Sequence, residues 1–175
     1  GIEFIVTESK PYLVAGADSE YYVLDENLKV LEITDTKPEN LPLVEGLLLS
    51  SAVLGEIVTS ENGEDTRLAA LTAALKERIG DDCVTAIDVT TSYDVSFEYK
   101  GRIKVLVGTV DDIDNKLQLV KYVIDENRSN EKAEIDISSG KRAYYRSVDN
   151  RPEKEKEKDA DTDEKTDEKS DNEKE

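Results

Sequence analysis

The sequence lacks histidine, methionine and tryptophan, and it contains a single cysteine, Cys83. One cysteine can form neither an intramolecular disulfide nor a zinc site with four cysteine ligands. Without histidine, no Ser-His or Cys-His pair within the chain can activate a nucleophile. The sequence therefore excludes the histidine-activated hydrolase mechanisms and the four-cysteine zinc class.

Patterns for phosphate and metal binding are also incomplete. The glycines that could form a phosphate-binding loop are isolated from one another: Gly55, Gly63, Gly101 and Gly108. Asp159, Asp161 and Asp163 have the spacing of a calcium loop, but Glu164 and Ser170 stand where that loop needs glycine and glutamate. We therefore expect no metal, no cofactor and no enzymatic activity.

Basic residues are scarce: 23 Lys and Arg against 41 Asp and Glu give a formal net charge of −18. Residues 150–175 contain 12 acidic and 7 basic side chains and no apolar residue larger than proline. We predict that residues 148–175 form a disordered, acidic C-terminal tail. The remaining 149 residues still carry −13 of the net −18, which argues against nonspecific binding to nucleic acid or an anionic membrane.

No signal peptide and no apolar run of about 18 residues is present, and the chain begins with Gly1. We expect a piece of a longer protein, attached to a membrane only through an anchor absent from this fragment. The 175 residues suffice for one domain of ordinary size.

Alternating apolar residues predict several strands. Residues 2–6 form one strand, and residues 21–25 and 28–33 form a hairpin whose turn is Glu26-Asn27. The proline-containing stretch 36–51 is predicted to link elements, and residues 53–58 to add a short strand or turn. In a second hairpin, a loop at residues 99–101 would place Phe97 opposite Ile103.

Two segments have the apolar spacing of helices. In the first, Asp65 or Thr66 would cap the start and Gly80 would end the helix. Its buried stripe is Leu68, Leu71, Leu75 and Ile79. The second begins at Asp111 or Asp112, and its stripe is Ile113, Leu117, Val120 and Ile124. Strands and helices interleave without strict alternation, so we predict the α+β class with a mixed or antiparallel sheet and two helices.

The last segment able to fold is "AEIDISSGKRAYYRSVDN", residues 133–150, which is basic and aromatic within an acidic chain. Ser139 and Gly140 interrupt it, and residues 143–146 continue as a final strand. Its cations could simply protect an exposed sheet edge, or the edge could bind a partner strand by β-augmentation, with tyrosines supplying contact area. The position before a disordered tail favours docking.

The order of several segments resembles the FtsQ/DivIB family of bacterial cell-division proteins. The similar segments, over about residues 5–147, are "VTESKPYLVA", "YYVLDENLKVLE", "LPLVEG", "LAALTAALKE", "GRIKVLVGTVDDIDNKLQLVKYVI" and "AEIDISSGKRAYYR". The resemblance implies that residues 1–10 contain the last strand of a truncated POTRA domain and that residues 11–147 form an FtsQ-type β domain. The family often has glycine where this chain has Leu28.

The resemblance also implies a non-enzymatic divisome scaffold at the extracytoplasmic face of the plasma membrane, at the division septum. Its partners would be FtsB/DivIC-like and FtsL-like bitopic proteins, and the docking mode would be strand addition to the last β-strand. The matching residues here are Ser138, Ser139, Gly140, Lys141, Arg142, Ala143, Tyr144 and Tyr145. The alternative is an extracytoplasmic module that binds cell-wall polymer or cations.

Overall fold

The computed structural model describes residues 8–17, 19–80, 83–127 and 130–148. Within these residues the chain forms two α-helices, α1 (Glu64–Arg78) and α2 (Ile113–Glu126), and eleven strands. The strands are β1 (Leu13–Ala17), β2 (Glu20–Leu24), β3 (Val30–Thr34), β4 (Leu43–Glu45), β5 (Leu49–Ser51), β6 (Thr59–Ser60), β7 (Val84–Asp88), β8 (Val95–Tyr99), β9 (Ile103–Gly108), β10 (Ala133–Asp136) and β11 (Tyr144–Ser147). The strand predicted over residues 2–6 and the tail from residue 149 lie outside the described residues.

Nine of the described strands form one mixed sheet in the order β11-β10-β9-β8-β7-β4-β1-β2-β3, and β5 pairs with β6 separately. β4 runs parallel to both β1 and β7, and β10 runs parallel to β9. The other neighbouring pairs are antiparallel. A mixed sheet with two helices confirms the predicted α+β class.

Both helices bury the stripes that their apolar spacing predicts. The fully buried members are Leu68, Leu71 and Leu75 of α1 and Leu117 and Val120 of α2. They share one core with apolar side chains of β8, β9 and β10, while Ile79 and Ile124 pack at its margin. Because α1 and α2 also contact each other, the helices cover the sheet together.

The start of α1 differs from the prediction that Asp65 or Thr66 would cap it. The helix begins at Glu64, after Gly63 with a φ of 76° and no side-chain cap. The backbone N–H of Asp65 donates to Ser60 Oγ at 3.0 Å. A hydroxyl upstream of the helix therefore satisfies one of the free N–H groups of its first turn.

The β2–β3 hairpin forms as predicted, and Leu28, the residue after the predicted Glu26-Asn27 turn, is left-handed with a φ of 63°. The left-handed conformation costs roughly 1–2 kcal/mol in a residue with a Cβ. Leu28 is only 2% exposed, and full burial of a leucine side chain contributes about 1.5–3 kcal/mol. Burial therefore offsets the strain at this turn.

The β8–β9 hairpin also forms, but the predicted register is wrong by two residues. Phe97 lies opposite Val105 instead of Ile103. The reason is the loop, in which Lys100 and Gly101 both have positive φ values, of 52° and 63°. Because side chains alternate with a period of two, the shift leaves every apolar side chain on its predicted face.

Two central strands, β1 and β4, have no clear sequence signal. β4 lies in the stretch predicted to be a link, between Pro42 and Gly46. It is nevertheless paired on both sides, and the carbonyl of Pro42 accepts a hydrogen bond from the N–H of Val14 at 2.9 Å. A strand of three residues is too short to show the alternation by which a local pattern could reveal it.

Gly46 provides a test of the packing around β4. A Cβ at Gly46 would lie 2.3 Å from Thr90 Cα, whereas a Cβ at Gly55 would have no atom within 4 Å. Both glycines have positive φ, 77° and 84°. We expect Gly46→Ala to reduce the free energy of unfolding by about 1–3 kcal/mol more than Gly55→Ala does, measured by urea denaturation. Equal losses would show that Gly46 is needed only for its φ.

Candidate functional site

β11 is an edge strand. Among the described strands it pairs with β10 alone, placing Tyr144 opposite Asp136 and Tyr145 opposite Ile135. The strand spans residues 144–147, one residue later than the predicted 143–146. The position of the last strand at a sheet edge agrees with the sequence analysis.

The eight residues predicted to dock a partner do not form one strand. Ser138, Ser139, Gly140, Lys141, Arg142 and Ala143 lie in the connection from β10 to β11, outside regular strand structure. Tyr144 and Tyr145 begin β11, and Arg146 and Ser147 complete it. The structure therefore brings the two tyrosines to the open edge and adds Ser147, which the sequence pattern did not include.

Local hydrogen bonds hold the connection between β10 and β11. Asp136 Oδ1 accepts from the N–H of Ser138 at 2.9 Å and from its hydroxyl at 2.7 Å. Gly140 has a φ of 67°, and its N–H donates to the carbonyl of Ile137 at 2.9 Å. This turn fixes the position at which β11 begins.

The direction of the backbone groups along β11 follows from one hydrogen bond at its end. The N–H of Val148 donates to the carbonyl of Lys132 at 2.9 Å, towards β10. Backbone groups alternate in direction along a strand, so those of Arg146 also face β10. Those of Tyr145 and Ser147 then face the open edge, where an added strand would pair with them.

The two tyrosine side chains differ in exposure. Tyr144 is 58% exposed, whereas Tyr145 is partly buried and packs against the core. Lys141 and Arg142 are exposed in the preceding turn, and a guanidinium nitrogen of Arg146 lies 3.8 Å from Glu134 Oε1. The edge thus presents one exposed aromatic ring beside three exposed basic side chains, with Glu134 and Asp136 partly buried on the neighbouring strand.

A buried lysine lies beneath the turn. Lys116 of α2 is 4% exposed, and its Nζ donates to the carbonyls of Val107 at 3.0 Å and Thr109 at 2.7 Å. A Cβ at Gly140 would lie 3.5 Å from Lys116 Cε, and one at Gly108 would lie 2.9 Å from Ser138 Cβ. The end of β9 therefore contacts the turn that precedes β11 closely.

Sequence reasoning missed Lys116, although a signal was present. It lies three residues after Ile113 and four before Val120, so it falls within the apolar stripe of α2. A lysine at such a position is buried only with partners for its charge. Burial lowers the pKa of Lys116, and the nearby charges of Asp111 and Asp112 oppose part of that shift.

The described residues contain neither a candidate metal cluster nor a candidate membrane span. In residues 8–17, 19–80, 83–127 and 130–148, no group of three or more cysteine, aspartate or glutamate side chains could hold a metal ion. Over the same ranges, neither helix is long and apolar enough to cross a membrane.

Comparison with known proteins places this chain in a class of cell-division proteins. A sequence profile described as "Cell division protein FtsQ/DivIB, C-terminal" matches residues 13–151. The chain belongs to the FtsQ/DivIB family, as its motifs predicted.

A similar solved structure is that of the major extracytoplasmic domain of the trans isomer of the bacterial cell division protein DivIB from Geobacillus stearothermophilus. The two chains share 16% sequence identity, and the similarity covers 71% of this chain and 98% of that chain with a TM-score of 0.43. A search of curated proteins found no match.

The buried lysine gives a pH-dependent prediction. Because the pKa of Lys116 is lower in the folded state, the unfolded chain binds more protons between that pKa and the ordinary value of 10.5. The free energy of unfolding should therefore rise with pH in that window, and Lys116→Met should lack this rise. Urea denaturation at several alkaline pH values would measure the difference in the free energy of unfolding between the two proteins, in which contributions common to both cancel. If the free energies of unfolding of the wild type and Lys116→Met differ by the same amount at every pH, the prediction is contradicted.

Proposed function

We propose that this chain is a non-enzymatic scaffold of the cell-division complex that binds an FtsB/DivIC-like and FtsL-like pair by strand addition at β11. The observation that carries the proposal is the open edge of β11, where the backbone groups of Tyr145 and Ser147 face outward beside the exposed ring of Tyr144. Membership of a cell-division family supports the partner class.

An added strand would satisfy the outward-facing backbone groups and gain contact area from the aromatic ring. Backbone hydrogen bonds supply affinity in this mode, and side-chain pockets supply specificity. Tyrosine is among the residue types that most often dominate binding energy at interfaces. Tyr144 is therefore the principal anchor in this proposal, and Tyr145 supports the edge from the core side.

The basic side chains at the β11 edge indicate the charge of the partner segment that would bind there. Lys141, Arg142 and Arg146 are exposed there in a chain whose net charge is −18. An acidic partner segment would be attracted to this edge, and the association rate would fall as salt rises. The rest of the acidic surface would repel the same segment, which favours docking at β11.

The proposal includes a place for the chain in a longer protein. Residues 1–10 would contain the last strand of a POTRA domain, residues 11–147 would be the β domain, and residues 148–175 would be a solvated spacer. The domain would act at the extracytoplasmic face of the plasma membrane at the division septum.

Proline at position 147 tests strand addition. Ser147→Pro removes an outward-facing N–H without removing a hydrogen bond to β10. We expect about tenfold weaker binding to the purified extracytoplasmic parts of the FtsB/DivIC–FtsL pair, since one hydrogen bond and its geometry are lost. Isothermal titration calorimetry measures the affinity, and urea denaturation establishes that the variant is folded.

Ser147→Ala is the matched control, because it keeps the N–H and removes only the hydroxyl; it should bind like the wild type. Ala143→Pro provides a second test just before β11. Gly140→Pro is less informative, since the φ of 67° is incompatible with proline. Wild-type affinity in folded Ser147→Pro and Ala143→Pro would refute strand addition at β11.

The exposed tyrosine gives a separate prediction. Tyr144→Ala should weaken binding to the same pair by roughly ten- to thirtyfold, because a central aromatic anchor is lost. Tyr93→Ala removes an even more exposed tyrosine, 73% exposed, from the loop before β8 and should leave the affinity unchanged. Surface plasmon resonance would measure the affinity of each variant for the pair. Equal effects of the two substitutions would argue against Tyr144 as an anchor.

A further inference from the structure

Exposed aliphatic side chains are concentrated at the edge of the sheet opposite β11. Eight large apolar side chains are exposed among the described residues, and three of them are tyrosines: Tyr93, Tyr122 and Tyr144. The other five are all aliphatic and lie on β3 or in the segment that contains β5 and β6. We call these five the β3 patch: Ile33, Leu48, Val53, Leu54 and Ile57.

Backbone hydrogen bonds attach the loop between β5 and β6 to the first part of β3. The N–H of Val30 donates to the carbonyl of Glu56, and the N–H of Gly55 donates to the carbonyl of Val30, both at 2.9 Å. Lys29 and Ile57 form an antiparallel bridge. This loop therefore covers the start of β3 and brings exposed aliphatic side chains to it.

The rest of β3 is open. Within the described part of the chain, residues 31–34 have strand pairing with β2 and with no other strand. Ile33 is 41% exposed in this open section. Unpaired strand edges beside apolar surface favour the addition of another strand.

Charge around the β3 patch is negative. Its exposed charged neighbours are mostly acidic: Glu32, Asp35, Glu56 and Glu61 outnumber one exposed cation, Lys37, in the loop after β3. Lys29 is half-buried. The β3 edge thus has the opposite charge to the β11 edge, and it would attract a cationic segment and repel an acidic one.

We propose that the open section of β3 and the β3 patch form a second docking edge, which binds an extended segment of another protein that alternates basic and apolar residues. Its backbone pairs with residues 31–34, its apolar side chains cover the aliphatic patch, and its basic side chains lie near the four carboxylates. A second copy of this chain fits poorly, because each copy carries a net charge of −18.

Synthetic peptides of roughly eight residues, the length of an ordinary strand, test this proposal. The probe alternates lysine and valine, and one control alternates lysine and serine, which keeps the charge and removes the apolar side chains. We expect the lysine-valine peptide to bind the full chain at least about tenfold more tightly. It should also slow amide hydrogen exchange, followed by NMR, at residues 31–34. Equal affinities, or protection only elsewhere, would overturn the proposal.

Paired variants locate the binding surface. The double variant Leu54→Ser, Ile57→Ser should bind the lysine-valine peptide about tenfold more weakly than the wild type. The matched control, Tyr93→Ser with Tyr122→Ser, removes two side chains that are somewhat more exposed and lie on elements other than β3, and it should keep the affinity. An equal loss in both double variants would overturn the proposal.

The test of the β3 edge can be distinguished from the test of strand addition at β11. Ser147→Pro should leave peptide binding unchanged, and an effect of that variant would place the peptide at β11 and overturn this proposal. Sedimentation equilibrium tests the second-copy alternative: self-association that the Leu54→Ser, Ile57→Ser variant abolishes would also overturn it. If the chain does not bind the peptide but does bind the FtsB/DivIC–FtsL pair, only the proposed docking at β3 is refuted.

Discussion

The pairing of β4, a strand of three residues, joins the two halves of the described sheet. β4 runs parallel to β1 on one side and to β7 on the other. Three residues provide few ladder hydrogen bonds, so close packing must support the junction: Val44 is 4% exposed and Gly46 lies against Thr90. The N–H of Val89 adds a hydrogen bond to the carbonyl of Glu45 at 3.0 Å. The half that ends in β11 and the half that ends in β3 therefore depend on this junction for their continuity.

The two edges of the described sheet differ in chemistry. β11 presents an exposed tyrosine among lysine and arginine side chains, whereas β3 presents aliphatic side chains among carboxylates. Charges of opposite sign at the two edges would direct different partner segments to each, since like charges disfavour the wrong pairing. A scaffold with two such edges could hold two partners in line with one sheet. The buried Lys116, which donates to carbonyls at the end of β9, and the close approach of Gly108 to Ser138 lie on the β11 side, next to the turn before that strand.

Much of this fold follows from local sequence patterns. Leu68, Leu71 and Leu75 have the spacing of a buried helical face, and the structure buries all three. The predictions that differ from the structure fail for physical reasons. Register at β8–β9 depends on the left-handed pair Lys100 and Gly101, of which only the glycine is an evident signal.

Pairings distant in sequence have no local signature, which is why β4 was predicted to be a link. For the candidate site, the basic and aromatic composition indicated an edge strand. The limits of β11 and the difference between Tyr144 and Tyr145 depend on the turn at Gly140 and on contacts with β10. Such contacts come from tertiary packing, which overrides local propensity.

The most direct test of the central claim is residue-resolved amide hydrogen exchange of the full chain, with and without the extracytoplasmic parts of the FtsB/DivIC–FtsL pair. In the free protein, the outward-facing amides of Tyr145 and Ser147 should exchange quickly, because no strand in the described part of the chain pairs with that side of β11. If the pair binds by strand addition at β11, its binding slows exchange at these two amides. Demonstrated binding without new protection at either amide would contradict strand addition at β11.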